Sequence, residues 1–387
     1  MLMVFGLGLA VAGPATAASA VPPFDGLEYV ALGDSYSAGF GLLPLSPSDP
    51  APGCYQAAQN YPHQVAAALG LTLNDRTCSG AVTANIRDTP QITMTGGGPA
   101  PVQSNSLSAS TDIVTVTIGG NDLKFAEVAA FCVRLAIDAS SFPLGDPLVD
   151  NCKDYYWPIQ SDPDNNSLLN NLNDIVTPAV VETFALISEK APNAKVFVIG
   201  YPSIAPDIEN IPTPQPPGCF TSPIINEPFS YRENSFPYSQ VDTLYLHQIE
   251  DEMDNVLEKA ALDAGFTFIP TWTATQAHSA CAAVDPYIFG ITLTNSNQNS
   301  TPTPDPALFV ELGALHPNPT GVDFIRDQVL AAMKNHPAFG GAAPGGPELA
   351  ATGVDGAPLA VAGLGIAFVG LVLLVARRTG AQLLGRR

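Results

Sequence analysis

The sequence predicts an α/β fold, a mostly parallel sheet with helices on both faces. Three observations predict it. Short apolar strand patterns alternate with longer stretches of helical periodicity along most of the 387 residues. The strand patterns at Glu28–Leu32, Leu71–Asn74 and Ile113–Ile118 run directly into turns rich in Gly, Ser or Asn. Open α/β sheets bind their ligands at that carboxyl edge.

The opening stretch, Met1–Ala20, has no acidic residue, and its apolar run Leu2–Ala12 ends in small residues around Ala18-Ser19-Ala20. It reads as a signal peptide, residues 1–20, although no Lys or Arg precedes the apolar run. A buried N-terminal helix fits less well, because Gly6, Gly8, Gly13 and Pro14 interrupt it. A single large domain is expected over 21–337.

Tyr29 and Val30 are good strand formers and lead through Ala31-Leu32 into Gly33-Asp34-Ser35, a strand-to-turn handover that exposes a serine hydroxyl. Helical patterns follow at Tyr61–Leu69, Leu123–Ala136, Leu168–Ala191, Val241–Ala264 and Pro319–Lys334, and further strands at Lys195–Ile199 and Phe266–Ile269. In Val241–Ala264, Leu244, Ile249, Met253, Val256, Leu257 and Ala260 form a stripe that reads as core. The Pro-rich stretches Pro44–Pro52, Pro212–Pro217 and Thr301–Pro306 read as surface loops, the last two able to shape a substrate entrance.

Acidic residues outnumber basic ones 36 to 15, a formal charge of −21, which excludes a nucleic-acid partner. Six cysteines (Cys54, Cys78, Cys132, Cys152, Cys219, Cys281) behind an export signal imply three disulfides in an oxidising compartment. Spacing alone admits too many connectivities to choose among them, though sequential pairing closes the shortest loops. No Cys or His pair has metal-ligand spacing. Asp162-x-Asp164-x-Asn166 begins like a calcium loop but has Ser167 and Asn173 where glycine and glutamate are needed. No metal and no cofactor is expected.

A Gly/Ala/Pro-rich linker spans 338–348, followed by Leu349-Ala350-Ala351-Thr352-Gly353, an apolar run over 359–376 and Arg377-Arg378. At ~1.5 Å per residue the run is just long enough to cross a bilayer core. The order of motif, span and basic tail over 349–387 resembles a sortase sorting signal. That resemblance implies cleavage after Thr352, sortase as a processing partner and attachment of the mature protein to the cell wall. A plain membrane anchor is the simpler alternative.

Three further sites join Ser35. Cys78-Ser79-Gly80 follows the second strand, Gly119-Gly120-Asn121-Asp122 follows the third, and Leu315-His316-Pro317-Asn318 precedes the last helix. Acyl transfer by serine needs a base and oxyanion donors. His316 is the candidate base, and the Ser35 and Gly80 N–H groups and the Asn121 amide are candidate donors. In order and context, Ser35, Gly80, Asn121 and His316 resemble the four motif blocks of the SGNH (GDSL-type) hydrolases, most closely their actinobacterial secreted lipase, phospholipase and esterase branch. The resemblance covers about Tyr29 to Met333. It implies a flavodoxin-like three-layer α/β/α fold, a serine nucleophile, hydrolysis of carboxylic esters, a monomer, and the sequential pairs Cys54–Cys78, Cys132–Cys152 and Cys219–Cys281.

The chain departs from the family at Gly313, where many members carry an aspartate three residues before the histidine. The resemblance implies a backbone carbonyl in its place, and Ala314 is the residue expected to orient His316, with Glu311 the rival carboxylate. Asp34 is expected to order the turn. His63, His247 and His336 read as structural, and His278 as a non-catalytic residue of the pocket wall. A glycan O-deacetylase of the same fold and a catalytically silent surface adhesin are the alternative functions.

Overall fold

A computed structural model describes residues 24–47, 50–94, 98–136, 151–213, 219–220, 224–226, 230–298, 300–302 and 309–340. The chain divides into two units, Met1–Ala343 and Pro344–Arg387, and every described residue belongs to the first. The expected signal peptide over 1–20, the expected sorting motif Leu349–Gly353 and the apolar run 359–376 lie outside the described residues. None of the described helices is long and apolar enough to cross a membrane.

Five short strands form the central sheet: β1 (Glu28–Gly33), β2 (Thr72–Asp75), β3 (Ile113–Thr117), β4 (Lys195–Ile199) and β5 (Thr267–Ile269). All pairings are parallel and the order is β2-β1-β3-β4-β5, the flavodoxin-like winding. Both faces are apolar because both are covered. Val30, Leu32, Val114, Val116, Val196 and Val198 point to one side; Tyr29, Ala31, Ile113, Phe197 and Ile199 point to the other.

The helices that cover those faces start where the sequence supplies caps. In α1 (Ser35–Ala38) Asp34 accepts from the Tyr36 N–H, and in α2 (Tyr61–Leu69) Asn60 accepts from the His63 N–H. After α3 (Thr83–Arg87), α4 (Phe125–Ala136) and α5 (Cys152–Tyr156) comes a long helical stretch in three parts. The continuous helix expected over Leu168–Ala191 is α6 (Ser167–Asn171), a π-helical turn (Leu172–Val176) and α7 (Thr177–Lys190). Pro178 has no N–H and its ring crowds the carbonyl four residues back, so one residue is taken up in the wider turn. Similarly, α4 begins at Phe125 rather than Leu123 because Lys124 adopts a left-handed conformation at φ 59°.

Three helices complete the layers: α8 (Gln240–Asp263), α9 (Thr271–Thr275) and α10 (Pro319–Asn335). Val180, Phe184 and Ile187 of α7 with Ile249, Met253 and Leu257 of α8 fill one core. Val65 of α2 with Val322, Ile325, Val329 and Met333 of α10 fill the other. The start of the expected linker packs as well, since Phe339 meets Phe24 at a ring separation of 4.8 Å.

The six cysteines pair as Cys54–Cys78, Cys132–Cys152 and Cys219–Cys281, with Cα separations of 4.2, 5.0 and 5.6 Å. On the chain-entropy model each such loop stabilises the fold by about 3–4 kcal/mol. Asp162 and Asn166 cap successive short helices, accepting from Asp164 N–H and Leu169 N–H. Local capping thus accounts for the calcium-like spacing.

The end of β1 is held by a side chain acting as a strand. Gln103, buried, accepts from Gly33 N–H at 2.8 Å and donates to the Gly33 carbonyl at 2.9 Å. Replacing it leaves the buried Gly33 N–H unpaired just before Ser35, while the Gly33 carbonyl keeps its bond from Cys78 N–H at 3.0 Å. We expect Gln103→Ala to cost roughly 1–3 kcal/mol, measured as a lower denaturant midpoint at unchanged slope. A midpoint equal to that of the parent protein would show that water replaces the amide without cost.

Candidate active site

Ser35 follows β1, and Gly119-Gly120-Asn121 follows β3. These neighbouring strands flank the switch point of the sheet, where successive connections leave in opposite directions and a crevice must open. Ser35, Gly80, Asn121 and His316 all line one cavity there, of about 890 Å³. That volume suits a ligand of drug or short-lipid size. Its walls are mainly apolar, with Phe40, Phe125, Phe131, Ile249, Met253 and Leu293 among them.

His316 Nε2 lies 2.8 Å from Ser35 Oγ, and its Nδ1 lies 2.8 Å from the Ala314 carbonyl oxygen. A carbonyl only accepts, so the imidazole proton resides on Nδ1 and Nε2 is left to accept from the serine hydroxyl. Burial pushes the His316 pKa down to about 4, against the Ala314 hydrogen bond, which raises it. The ring is therefore neutral at physiological pH.

The position of the missing aspartate has a steric cause. Gly313 sits at φ 91°, and a Cβ added there would lie 3.2 Å from both Gly41 Cα and the Phe289 ring. A carboxylate at 313 would demand strained backbone and displaced neighbours. Glu311 is exposed on a short strand opposite Ser300, and the Nδ1 hydrogen bond of His316 goes to Ala314.

Several groups that sequence reasoning passed over hold this geometry. Tyr36 donates its hydroxyl to the Leu315 carbonyl at 2.7 Å, and its ring packs on His316 at 4.8 Å. Phe40 flanks the imidazole at 5.0 Å. Tyr201 donates to Asp34 Oδ2 at 2.5 Å and accepts from Gly120 N–H at 3.0 Å, so one phenol joins the ends of β1, β3 and β4. Burial raises the Asp34 pKa to about 7, against hydrogen bonds from Tyr201 and the Tyr36 N–H, which lower it. Tyr201 was detectable in the sequence, because Gly200-Tyr201 ends a strand just as Gly33-Asp34 and Gly119-Gly120 do.

Asn121 donates one amide hydrogen to the Ala81 carbonyl at 3.0 Å, which fixes the side chain and leaves its second hydrogen free of that bond. Asp122 accepts from Thr83 N–H at 3.0 Å and from Thr83 Oγ at 2.6 Å, tying the Asn121 turn to the segment after Gly80. The Ser79 carbonyl before Gly80 accepts from Gln91 at 2.7 Å, and Cys78 is bridged to Cys54.

The other histidines serve locally. His63 Nδ1 is 2.7 Å from Asn60 Oδ1, and His247 Nδ1 is 2.7 Å from the Ala205 carbonyl. His336 packs against Phe197. The expectation that His278 lines the pocket is corrected: its ring stacks on Tyr287 at 4.0 Å, its Nδ1 faces the Asp285 carbonyl, and it is absent from the cavity wall. No cluster of three or more candidate metal ligands occurs among the described residues.

Residues 31–324 match the model of the GDSL-like lipase/acylhydrolase family. The chain is 31% identical over 280 residues to Lipase 2 of Streptomyces coelicolor, covering 71% of this chain and 81% of that protein. It is 29% identical over 339 residues to an esterase of Streptomyces scabiei, covering 84% and 91%. In structure it is similar to phospholipase A1 from Streptomyces albidoflavus, with a TM-score of 0.55 at 22% identity, over 80% of this chain and 99% of that one.

The buried imidazole generates a prediction independent of turnover. Titration of His316 followed by nitrogen-15 NMR should give a pKa near 4, well below the ordinary value for histidine, with the proton on Nδ1 in the neutral form. A value near ~6.5 would mean that the ring is solvated and unconstrained.

Proposed function

The chain belongs to the GDSL-like lipase/acylhydrolase family, and from that premise we propose that it hydrolyses carboxylic acyl esters through an acyl-enzyme on Ser35. The observation that carries this reading is the Ser35 Oγ to His316 Nε2 contact of 2.8 Å at the wall of a largely apolar cavity. Ser35 Oγ attacks the ester carbonyl as its proton passes to His316 Nε2. The Ser35 and Gly80 N–H groups and the Asn121 amide stabilise the oxyanion. Protonated His316 then gives its proton to the departing alcohol. Water, deprotonated by the same nitrogen, releases the acid and restores the serine. The Ala314 carbonyl holds the imidazole tautomer, with less stabilisation of imidazolium than a carboxylate would provide.

Lipase and esterase names among the relatives support an acyl ester as substrate. Apolar walls around Ser35 favour an acyl chain over the acetyl group of a glycan. Three disulfides support secretion. We place the mature protein at the cell surface, attached by sortase after Thr352, because Leu349–Gly353 precedes an apolar run and two arginines. Wall-degrading enzymes, rather than detergent, should then release a protein that ends at Thr352.

A fluorophosphonate probe should label Ser35, and Ser35→Ala or His316→Ala should each lose on the order of 10⁴-fold or more in kcat on nitrophenyl esters. Asn121→Ala should lose ~10²–10³-fold in kcat with little change in KM. Glu311→Gln should stay within roughly tenfold of the parent protein. Collapse of activity in a folded Glu311→Gln protein would transfer the orienting role from Ala314 to the glutamate.

A further inference from the structure

The cavity beside Ser35 is lopsided in charge. Asp34, Glu127, Glu250, Asp254 and Glu311 line it, and among its described lining residues there is no Lys or Arg. Two of these carboxylates, Glu250 and Asp254, stand one turn apart on α8 and take no part in the ester chemistry. Glu250 is anchored, accepting from Ile204 N–H at 3.0 Å and Ala205 N–H at 3.1 Å. Asp254 has a buried oxygen, Oδ1, with no hydrogen-bond partner among the described residues.

Two further groups without a partner among the described residues stand at this end of the cavity. Tyr238 is 2% exposed with its hydroxyl unpaired, and Trp272 is 8% exposed with its indole nitrogen unpaired. The Trp272 N–H is close enough to Glu250 to favour its ionised form, yet outside hydrogen-bonding geometry. Buried polar groups left without partners are costly and uncommon, so a cluster of them in a cavity marks a place built for a ligand.

The ligand's chemistry follows from the cluster. Asp254 Oδ1 and the Tyr238 oxygen are free to accept, which calls for a donor. Among the described residues no Lys or Arg pairs with either carboxylate, which calls for positive charge. Aromatic rings in the wall favour a cation further. Burial pushes Glu250 up to about 8, and burial with the charges of Glu258 and Asp251 pushes Asp254 up to about 7.

We infer that Glu250, Asp254 and Tyr238 form a subsite for a protonated alkylamine, so that the substrates include esters carrying a primary ammonium group on the acyl or alcohol part. The inference rests on the ester-hydrolase reading for its substrate, but its test is a binding measurement that needs no turnover. The Ser35→Ala protein is titrated calorimetrically with butylammonium chloride and with butan-1-ol, a neutral molecule of the same shape, at about pH 9, where both carboxylates are charged. Butylammonium should bind about tenfold or more tightly. Asp254→Asn and Glu250→Gln, each added to Ser35→Ala, should bring the two affinities to within about threefold. Glu252→Gln, an exposed change on the same helix that removes equal charge, should preserve the preference. Should Glu250→Gln unfold, the isosteric Asp254→Asn decides alone. Equal affinities in Ser35→Ala, or a preference that survives Asp254→Asn, would overturn the inference whether or not the parent protein hydrolyses esters. Conversely, ammonium binding by a protein that hydrolyses no ester would overturn the hydrolase reading and leave the subsite standing.

Discussion

A hydrogen bond between side chains 281 residues apart, from Ser35 Oγ to His316 Nε2, constrains more of this molecule than any other contact. Neither partner is near the other in sequence, and neither can be moved by an ångström without losing it. The sheet fixes one end, since β1 delivers Ser35 at its carboxyl edge. The other end sits on a loop, and a loop by itself would not hold an imidazole to that tolerance. Tyr36 bonds to Leu315, Phe289 pairs with Leu315 and His316 through the backbone, and Asn318 caps α10 directly after the histidine. The loop is thereby tied to the serine's own helix, to a neighbouring segment and to the helix that follows.

Burial then sets the chemistry of the same group. An exposed histidine of ordinary pKa would be partly charged near neutrality, and its charged fraction could not accept the serine proton. Packed between Tyr36 and Phe40, the ring loses hydration, its charged form is disfavoured, and Nε2 remains available. The Ala314 carbonyl chooses the tautomer. With Gly41 and Phe289 close against Gly313, which holds φ 91°, a side chain three residues before His316 would be strained, and the Ala314 carbonyl takes its place.

Apolar burial and polar pairing are balanced differently across the cavity. At the Ser35 end Tyr201 links Asp34 to Gly120 in a continuous chain, and among the described residues the buried Ser79 hydroxyl is the unpaired group of that wall. At the α8 end, Asp254, Tyr238 and Trp272 retain unpaired atoms. The α8 end differs in that its unpaired atoms lie beside two carboxylates, which is the part the inferred ammonium ligand would complete.

Much of this was legible in the sequence, because it depends on local pattern. The five strands and the major helices follow apolar periodicity to within a residue or two, and four short motifs named Ser35, Gly80, Asn121 and His316. Deviations fell where one residue overrode the pattern: Pro178 opened the π turn, and Lys124 delayed α4. What only the tertiary structure decided is partnership at long range. That Gln103 completes β1, that Tyr201 binds Asp34, that His278 faces Tyr287, and that Glu250 and Asp254 share a cavity with Ser35 all depend on loop paths that carry no periodic signal. Periodicity records which face of an element is buried; it does not record what lies across from that face, and the chemistry of a site is set by what lies across.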